Sequence, residues 1–206
     1  MKSYGDEEIV KLLNQYKLES RGDVYSGIVI HGDLYRFHEY KFLDEKVKIM
    51  LPLRFIDMPH DILNVKYGHL PQIDIIKCSR DYNIDIMLIF TEQTLHENEI
   101  ERNIEEQINL LKAFQPSYEV YEHNVEDNGY IKIGWFDYKA NAMDIALYCM
   151  NFVFQVEGRM IMGKFTCNMY KAQNWKAVFL KILYSINNIG RKLKEAADGS
   201  DENAKN

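Results

Sequence analysis

Two long apolar runs, Asp144 to Val156 and Met160 to Cys167, flank Glu157-Gly158-Arg159, and no other stretch limits the fold of this chain as strongly. Tyr148, Met150, Phe152, Phe154 and Val156 recur at every second position, so in an extended chain they share one face. A hairpin with that many large side chains on one side has to bury them against a second layer. The chain must therefore build a sheet and cover it.

The remaining segments supply both. Asp6 to Tyr16 places Ile9, Leu12, Leu13 and Tyr16 at helical spacing, with acidic residues in the first turn. Val24 to His31 and Leu34 to Phe42 predict a hairpin turning at Gly32-Asp33, and Val47, Ile49 and Leu51 predict a further strand ended by Pro52. Pro59 opens one or two helical turns near residues 58–65. Ile73 to Cys78 and Ile84 to Phe90 read as strands joined through Ser79 to Asn83.

A long amphipathic helix follows, with Leu95, Ile100, Ile104, Ile108, Leu111 and Phe114 on one side, a capping box at Thr94 to Glu97, and Pro116 as its stop. Tyr118 to Val125 and Tyr130 to Tyr138 read as two more strands turning at Glu126 to Gly129. The last helix carries Trp175, Val178, Phe179, Ile182, Ile186 and Ile189, and residues 190–206 read as a disordered tail. The expectation is an α+β fold: an antiparallel sheet flanked by helices, with an extra N-terminal helix and β-hairpin. Residues 1–189 are expected to form one domain, with 46–189 as its core and 1–45 as an extension.

A chain of 206 residues buries enough surface to need no disulfide staples, and Cys78, Cys149 and Cys167 sit in apolar runs where thiols are inert fillers. A net charge of −6 argues against a partner held through phosphate charge, so no nucleic acid is expected. The start, Met1 to Glu8, has no apolar export segment, and no run reaches the roughly 18 apolar residues of a membrane span. A cytoplasmic location without membrane contact is the expectation.

Searches for named chemistry fail on particular residues. Gly158-Arg159-Met160-Ile161-Met162-Gly163-Lys164 fits seven positions of a P-loop, but Phe165 stands where the magnesium-binding hydroxyl belongs, and the segment reads as a strand. Gly158 is better explained as a turn residue, and Gly163 as a strand residue under a close neighbour. Asp57, His60 and Asp61 share a helical turn without any metal-ligand spacing, and capping or solvating a short helix accounts for both aspartates. No Gly-x-Ser-x-Gly elbow or Rossmann glycine pattern occurs, and no cysteine–histidine pair is singled out. No cofactor and no metal are expected.

Tyr118, Tyr121, Tyr130, Trp135, Phe136 and Tyr138 crowd one region, and β-structure favours reading most of them as core. Met143, Met150, Met160 and Met162 gather near the strong hairpin and read the same way. Lys46, Lys48, Arg54 and Lys66 form a basic stretch that could meet an acidic partner beside Arg36 and Lys41.

The order of elements resembles one family. A strand ending in Leu51-Pro52, two strands, a long helix, two strands through Gly134-Trp135, a strong hairpin ending in Lys164-Phe165-Thr166-Cys167, then Trp175 and Leu183-Tyr184-Ser185-Ile186 near the close of a helix, is similar to the PsbP-like superfamily. That superfamily includes the extrinsic subunit of photosystem II, a Ran-GTPase nucleotide-release factor and bacterial proteins of unknown role. The resemblance spans residues 46–189 and implies that Leu51, Trp135, Phe165, Trp175 and Ile186 lie in the core. It carries over no catalytic residue, and implies docking to a larger partner without chemistry.

The sequence thus predicts a non-enzymatic docking protein with an unidentified protein partner, a homodimer being one arrangement. Loops on a rigid sheet commonly carry function, which selects Arg54, Asp57, His60, Asp61, Lys66 and Tyr67 in one segment and Glu157 and Arg159 in another. The alternative is a small-molecule-binding module or hydrolase whose site converges from distant segments, with Asp57, His60 and Cys78 as candidates.

Overall fold

The computed structural model describes residues 21–30, 32–68, 70, 73–142 and 145–188. The helix expected over residues 6–16 and the tail expected from residue 190 lie outside the described residues, as do Met143 and Ile189.

The hairpin that dominates the sequence is the centre of the fold. Strands β11 (Ile145–Val156) and β12 (Arg159–Asn168) pair over their whole length, from Leu147 opposite Asn168 to Val156 opposite Arg159. Both turn residues, Glu157 at φ 52° and Gly158 at φ 82°, are left-handed, which matches the twist of a tight hairpin. Strand β8 (Ile84–Thr94) pairs with β12, and β7 (Ile75–Cys78) and the short β6 (Ile56–Asp57) extend that side. On the other side β10 (Lys132–Ala142) and then β9 (Glu119–Asp127) complete an antiparallel sheet of seven strands, in the order β6-β7-β8-β12-β11-β10-β9.

Each face of this sheet has its own cover. On the first, Phe152, Phe154 and Phe165 pack with Trp175 and Phe179 of helix α3 (Ala172–Tyr184), the rings of Phe165 and Phe179 stacking 4.6 Å apart. Strands β4 (Phe37–Phe42) and β5 (Val47–Pro52), with β13 (Asn187–Asn188) beside β5, add Val47, Ile49 and Leu51 to the same core. Leu51, Trp135, Phe165, Trp175 and Ile186 are all buried there. On the second face lie α1 (His60–Tyr67) and α2 (Ile100–Phe114). Ile100 and Ile104 of α2 come so close that a Cβ on Gly134 would sit 2.6 Å from Ile104, so β10 carries a glycine at that crossing.

Because both faces are covered, the central strands are apolar at almost every position. Charged residues interrupt them, among them Asp85 on β8, Asp137 and Lys139 on β10 and Lys164 on β12. No helix among the described residues is long and apolar enough to cross a membrane.

Several local expectations shift. The run from Leu34 to Phe42 is not one strand: β3 (Asp33–Tyr35) pairs with β2 (Gly27–Ile30), whereas β4 turns away to pair with β5. The polar break before Val24 contains a strand, β1 (Arg21–Asp23), because Asp23 Oδ1 accepts from the amides of Tyr25 and Ser26 and folds the chain back onto β2. Thr94 does not cap the long helix but ends β8; the His96 amide donates instead to Glu99 Oε2 at 3.0 Å, and a short 3₁₀ turn precedes α2. The last helix stops at Tyr184, and Ile186 is buried beyond it beside β13.

Candidate functional site

Between α1, α2 and the second face of the large sheet lies a cavity of about 360 Å³. Its floor comes from the alternate positions of β8, β12, β11 and β10 that point away from the aromatic core: Met87 and Ile89, Met162 and Lys164, Leu147, Cys149 and Asn151, and Tyr138 and Ala140. Lys66 and Tyr67 of α1 form one wall, and Gln107 of α2 with Tyr118 another. Its lining is drawn from residues spread between 66 and 166, so only the fold assembles it.

Lys66 and Tyr67 are held by one carboxylate. Asp85, wholly buried, accepts from Lys66 Nζ and from the Tyr67 hydroxyl, each at 2.7 Å, and Lys66 also donates to the Tyr82 carbonyl at 2.6 Å. The Tyr67 oxygen lies 3.4 Å from Thr166 Oγ1. Burial and the adjacent Asp85 carboxylate push the Tyr67 phenol well above its ordinary range, so it stays protonated.

Lys164 is different. Among the described residues no carboxylate comes within ion-pair distance of its ammonium, which stands 5.8 Å from the Tyr138 ring centroid. Burial works against that charge, and the Cys149 thiol and Tyr138 phenol beside it, both pushed up by burial, stay protonated and supply no countercharge. At neutral pH, below the ordinary lysine value of about 10.4, the side chain offers the cavity an ammonium cation. Burial raises the Cys149 thiol pKa, which leaves no thiolate beside it, and among the described residues no histidine lines the cavity. The Tyr138 hydroxyl donates to Asn151 Oδ1 at 3.4 Å, and Tyr118 stacks on Tyr138 with centroids 5.8 Å apart. What this arrangement can do is hold a molecule by charge, hydrogen bonds and apolar contact.

The residues selected from sequence are scattered around this site. Lys66 and Tyr67, expected on a docking face, turn inward to Asp85, because the outward side of α1 is polar apart from Val65. Arg54, His60 and Asp61 are exposed, and exposed Asp57 pairs with Lys77 at 2.7 Å. His60 Nδ1 lies 3.1 Å from Asn64 Nδ2. Exposed Glu157 pairs with Lys46 at 2.8 Å, and Arg159 reaches Glu92 at 3.6 Å. The two segments do not converge: Arg159 starts β12, whereas Thr166, next to Tyr67, lies seven residues along it, roughly 23 Å away at about 3.3 Å per residue.

Asp57, His60 and Cys78, the candidates for a convergent site, do not line this cavity. The basic stretch also disperses, since Lys41, Lys46, Lys48 and Lys66 each meet a carboxylate within 3.0 Å. Lys164 was visible only as the lysine of a failed P-loop. Its informative signal is a charge in mid-strand among residues that a doubly covered sheet must bury. Gly163, the neighbouring glycine of that motif, lies under the Phe152 ring, and Gly158 occupies the hairpin turn.

No family model and no curated protein matches the sequence. Among solved structures, the cyanobacterial PsbP of Synechocystis sp. PCC 6803 overlays with a TM-score of 0.55 at 10% identity, covering 74% of this chain and 92% of its own. A Pseudomonas aeruginosa protein of unknown function, PA94, overlays less well, with a TM-score of 0.42 at 6% identity over 72% of this chain and 94% of its own. With an antiparallel sheet, a long helix on one face and a Trp-led helix on the other, the chain has a PsbP-like fold.

Proposed function

We propose that this chain is a non-catalytic binding protein whose ligand occupies the cavity beneath α1 and α2. The observation that carries the reading is the convergence of Lys164, Tyr138, Asn151 and Thr166 on one apolar-walled space from three separate strands. A folded core with no ligand to hold would close over Lys164 or replace it, since an unpaired ammonium in a protein wall is expensive. Among the described residues no activated nucleophile, base or thiolate stands beside the space, which favours holding over turnover.

The test is to add a fragment library to the ¹⁵N-labelled full chain. Shifts confined to Met87, Ile89, Met162 and Lys164 amides support the reading, and a library that leaves these resonances unmoved overturns it. Leu147→Trp, which fills the cavity, is expected to abolish the shifts.

A second reading is docking to a protein partner, and one observation favours it. Val65 on the outer side of α1 is 87% exposed, an unusual setting for a β-branched apolar residue on a helix. Arg54, His60 and Asp61 on the same segment, and Glu157 and Arg159 on the far hairpin, would be its polar contacts. A second copy of the chain is the simplest partner to test: sedimentation showing a dimer that Val65→Asp dissociates supports it, and a monomer at all concentrations removes it.

A further inference from the structure

We infer that the ligand of this cavity is a small organic monocarboxylate with an apolar body, its carboxylate meeting Lys164; the inference rests on the binding reading above. Two ammonium groups border the space, but they are not equivalent. Lys66 already spends its charge on Asp85 at 2.7 Å, and Asp85 is also fixed by Tyr67. Lys164 has no such carboxylate among the described residues, so the wall presents one uncompensated positive charge. One charge calls for a monoanion. A phosphate or dicarboxylate would bring at least one further negative charge with no second free cation among the described residues to meet it.

The polar groups beside Lys164 suit a carboxylate as well. The Thr166 hydroxyl and the Asn151 amide stand on the flanking strand positions, Asn151 directly opposite Lys164 in the ladder and Thr166 two residues on along the same face. Both can donate, and a carboxylate accepts from several donors at once. Away from this end the lining is Met87, Ile89, Leu147 and Met162, which offers contact but no hydrogen bonds. Thioethers adapt to varied shapes, so the apolar part is specified by size more than by outline. At about 360 Å³ the space is near the lower end for ligand sites, which limits the body to a single ring or a short chain.

The experiment is calorimetric titration of the full chain with hexanoate and benzoate, and with hexanamide and benzamide as neutral counterparts of the same shape. The carboxylates are expected to bind at least tenfold more tightly than the amides. Lys164→Met is expected to erase that difference, and Lys164→Arg to keep part of it. Should amides and carboxylates bind alike, the monocarboxylate assignment falls and the cavity reading stands. Should neither perturb the cavity resonances while the fragment library also fails, both fall. The comparison between acids and amides on the unaltered chain remains decisive even if a Lys164 variant does not fold.

Discussion

The hydroxyl of Tyr67 on α1 donates to the wholly buried Asp85 on β8 at 2.7 Å, and this bond, with that of Lys66, is what ties the short helix to the sheet. Eight residues are too few for a helix to hold itself in water. Removing either donor leaves the Asp85 carboxylate short of a partner where no water reaches it. Lys66→Met, which strips its countercharge, should cost about 3 kcal/mol, and Tyr67→Phe about 1–2 kcal/mol. Urea denaturation of both variants and of the double variant checks this. The two losses should fail to add, since the pair shares one acceptor.

Asn128 joins the β9–β10 turn to the end of α3. Its Oδ1 accepts from the amides of Tyr130 and Ile131 at 3.0 Å, while Nδ2 donates to the carbonyls of Tyr184 and Ile186 at 3.1 and 2.8 Å. Four bonds through one side chain require an amide, with an acceptor at one end and donors at the other. Asn128→Ala should cost about 2 kcal/mol. Asn128→Asp, nearly the same shape, should cost at least as much at neutral pH, because a carboxylate then faces two carbonyl oxygens. Thermal melts of the two variants test the order.

Much of this fold is legible because the alternation in Tyr148 to Val156 can satisfy only a covered sheet, and helix periodicity in residues 100–114 and 172–184 supplies the covers. Asn128, by contrast, reads from sequence only as a turn residue, since its bonds to Tyr184 and Ile186 join positions more than fifty apart. The split between β3 and β4 is likewise hidden, because Arg36 interrupts an extended run with no glycine or proline to mark the break. The cavity is the least legible part. Local pattern reports which face of a strand is apolar, and Met162, Leu147 and Met87 look there like core; whether two helices meet over them or leave a space depends on tertiary packing alone. Charges within the central strands, such as Asp85, Asp137 and Lys164, mark positions where the core has to be interrupted.

Lys176 of α3 supports the opposite face. Its Nζ lies 2.7 Å from Asp137 Oδ2 and 2.8 Å from Glu122 Oε2, and Asp137, wholly buried, also accepts from the Tyr148 hydroxyl at 2.7 Å. Burial works against the Lys176 ammonium, but Asp137 and Glu122 outweigh it and raise its pKa above the ordinary lysine value. A raised lysine pKa contributes stability in full below the unfolded-state value of about 10.4, and that contribution fades as pH climbs through the higher folded value. The stability gap between the parent and Lys176→Met should therefore be constant from pH 6 to about 10 and narrow above it. Guanidinium titrations at a series of alkaline pH values read the gap; a gap that closes below pH 9 would contradict the assignment.

Gly163 and Phe152 face each other across the central hairpin, and a Cβ built on Gly163 would fall inside the Phe152 ring. The position carries no left-handed strain, so the glycine is required by space and not by backbone conformation. An alanine there would displace Phe152 into Phe154 and Phe165, whose rings lie 6.3 and 5.1 Å from it. Gly163→Ala should cost about 1–3 kcal/mol as overpacking. Because the cause is one ring, the remedy is local: Phe152→Leu alone loses packing, but combined with Gly163→Ala it should recover part of the alanine's penalty. A double-mutant cycle by chemical denaturation measures the coupling, expected to be favourable by about 1 kcal/mol or more. Strict additivity would mean that Gly163 is needed for some reason other than the ring above it.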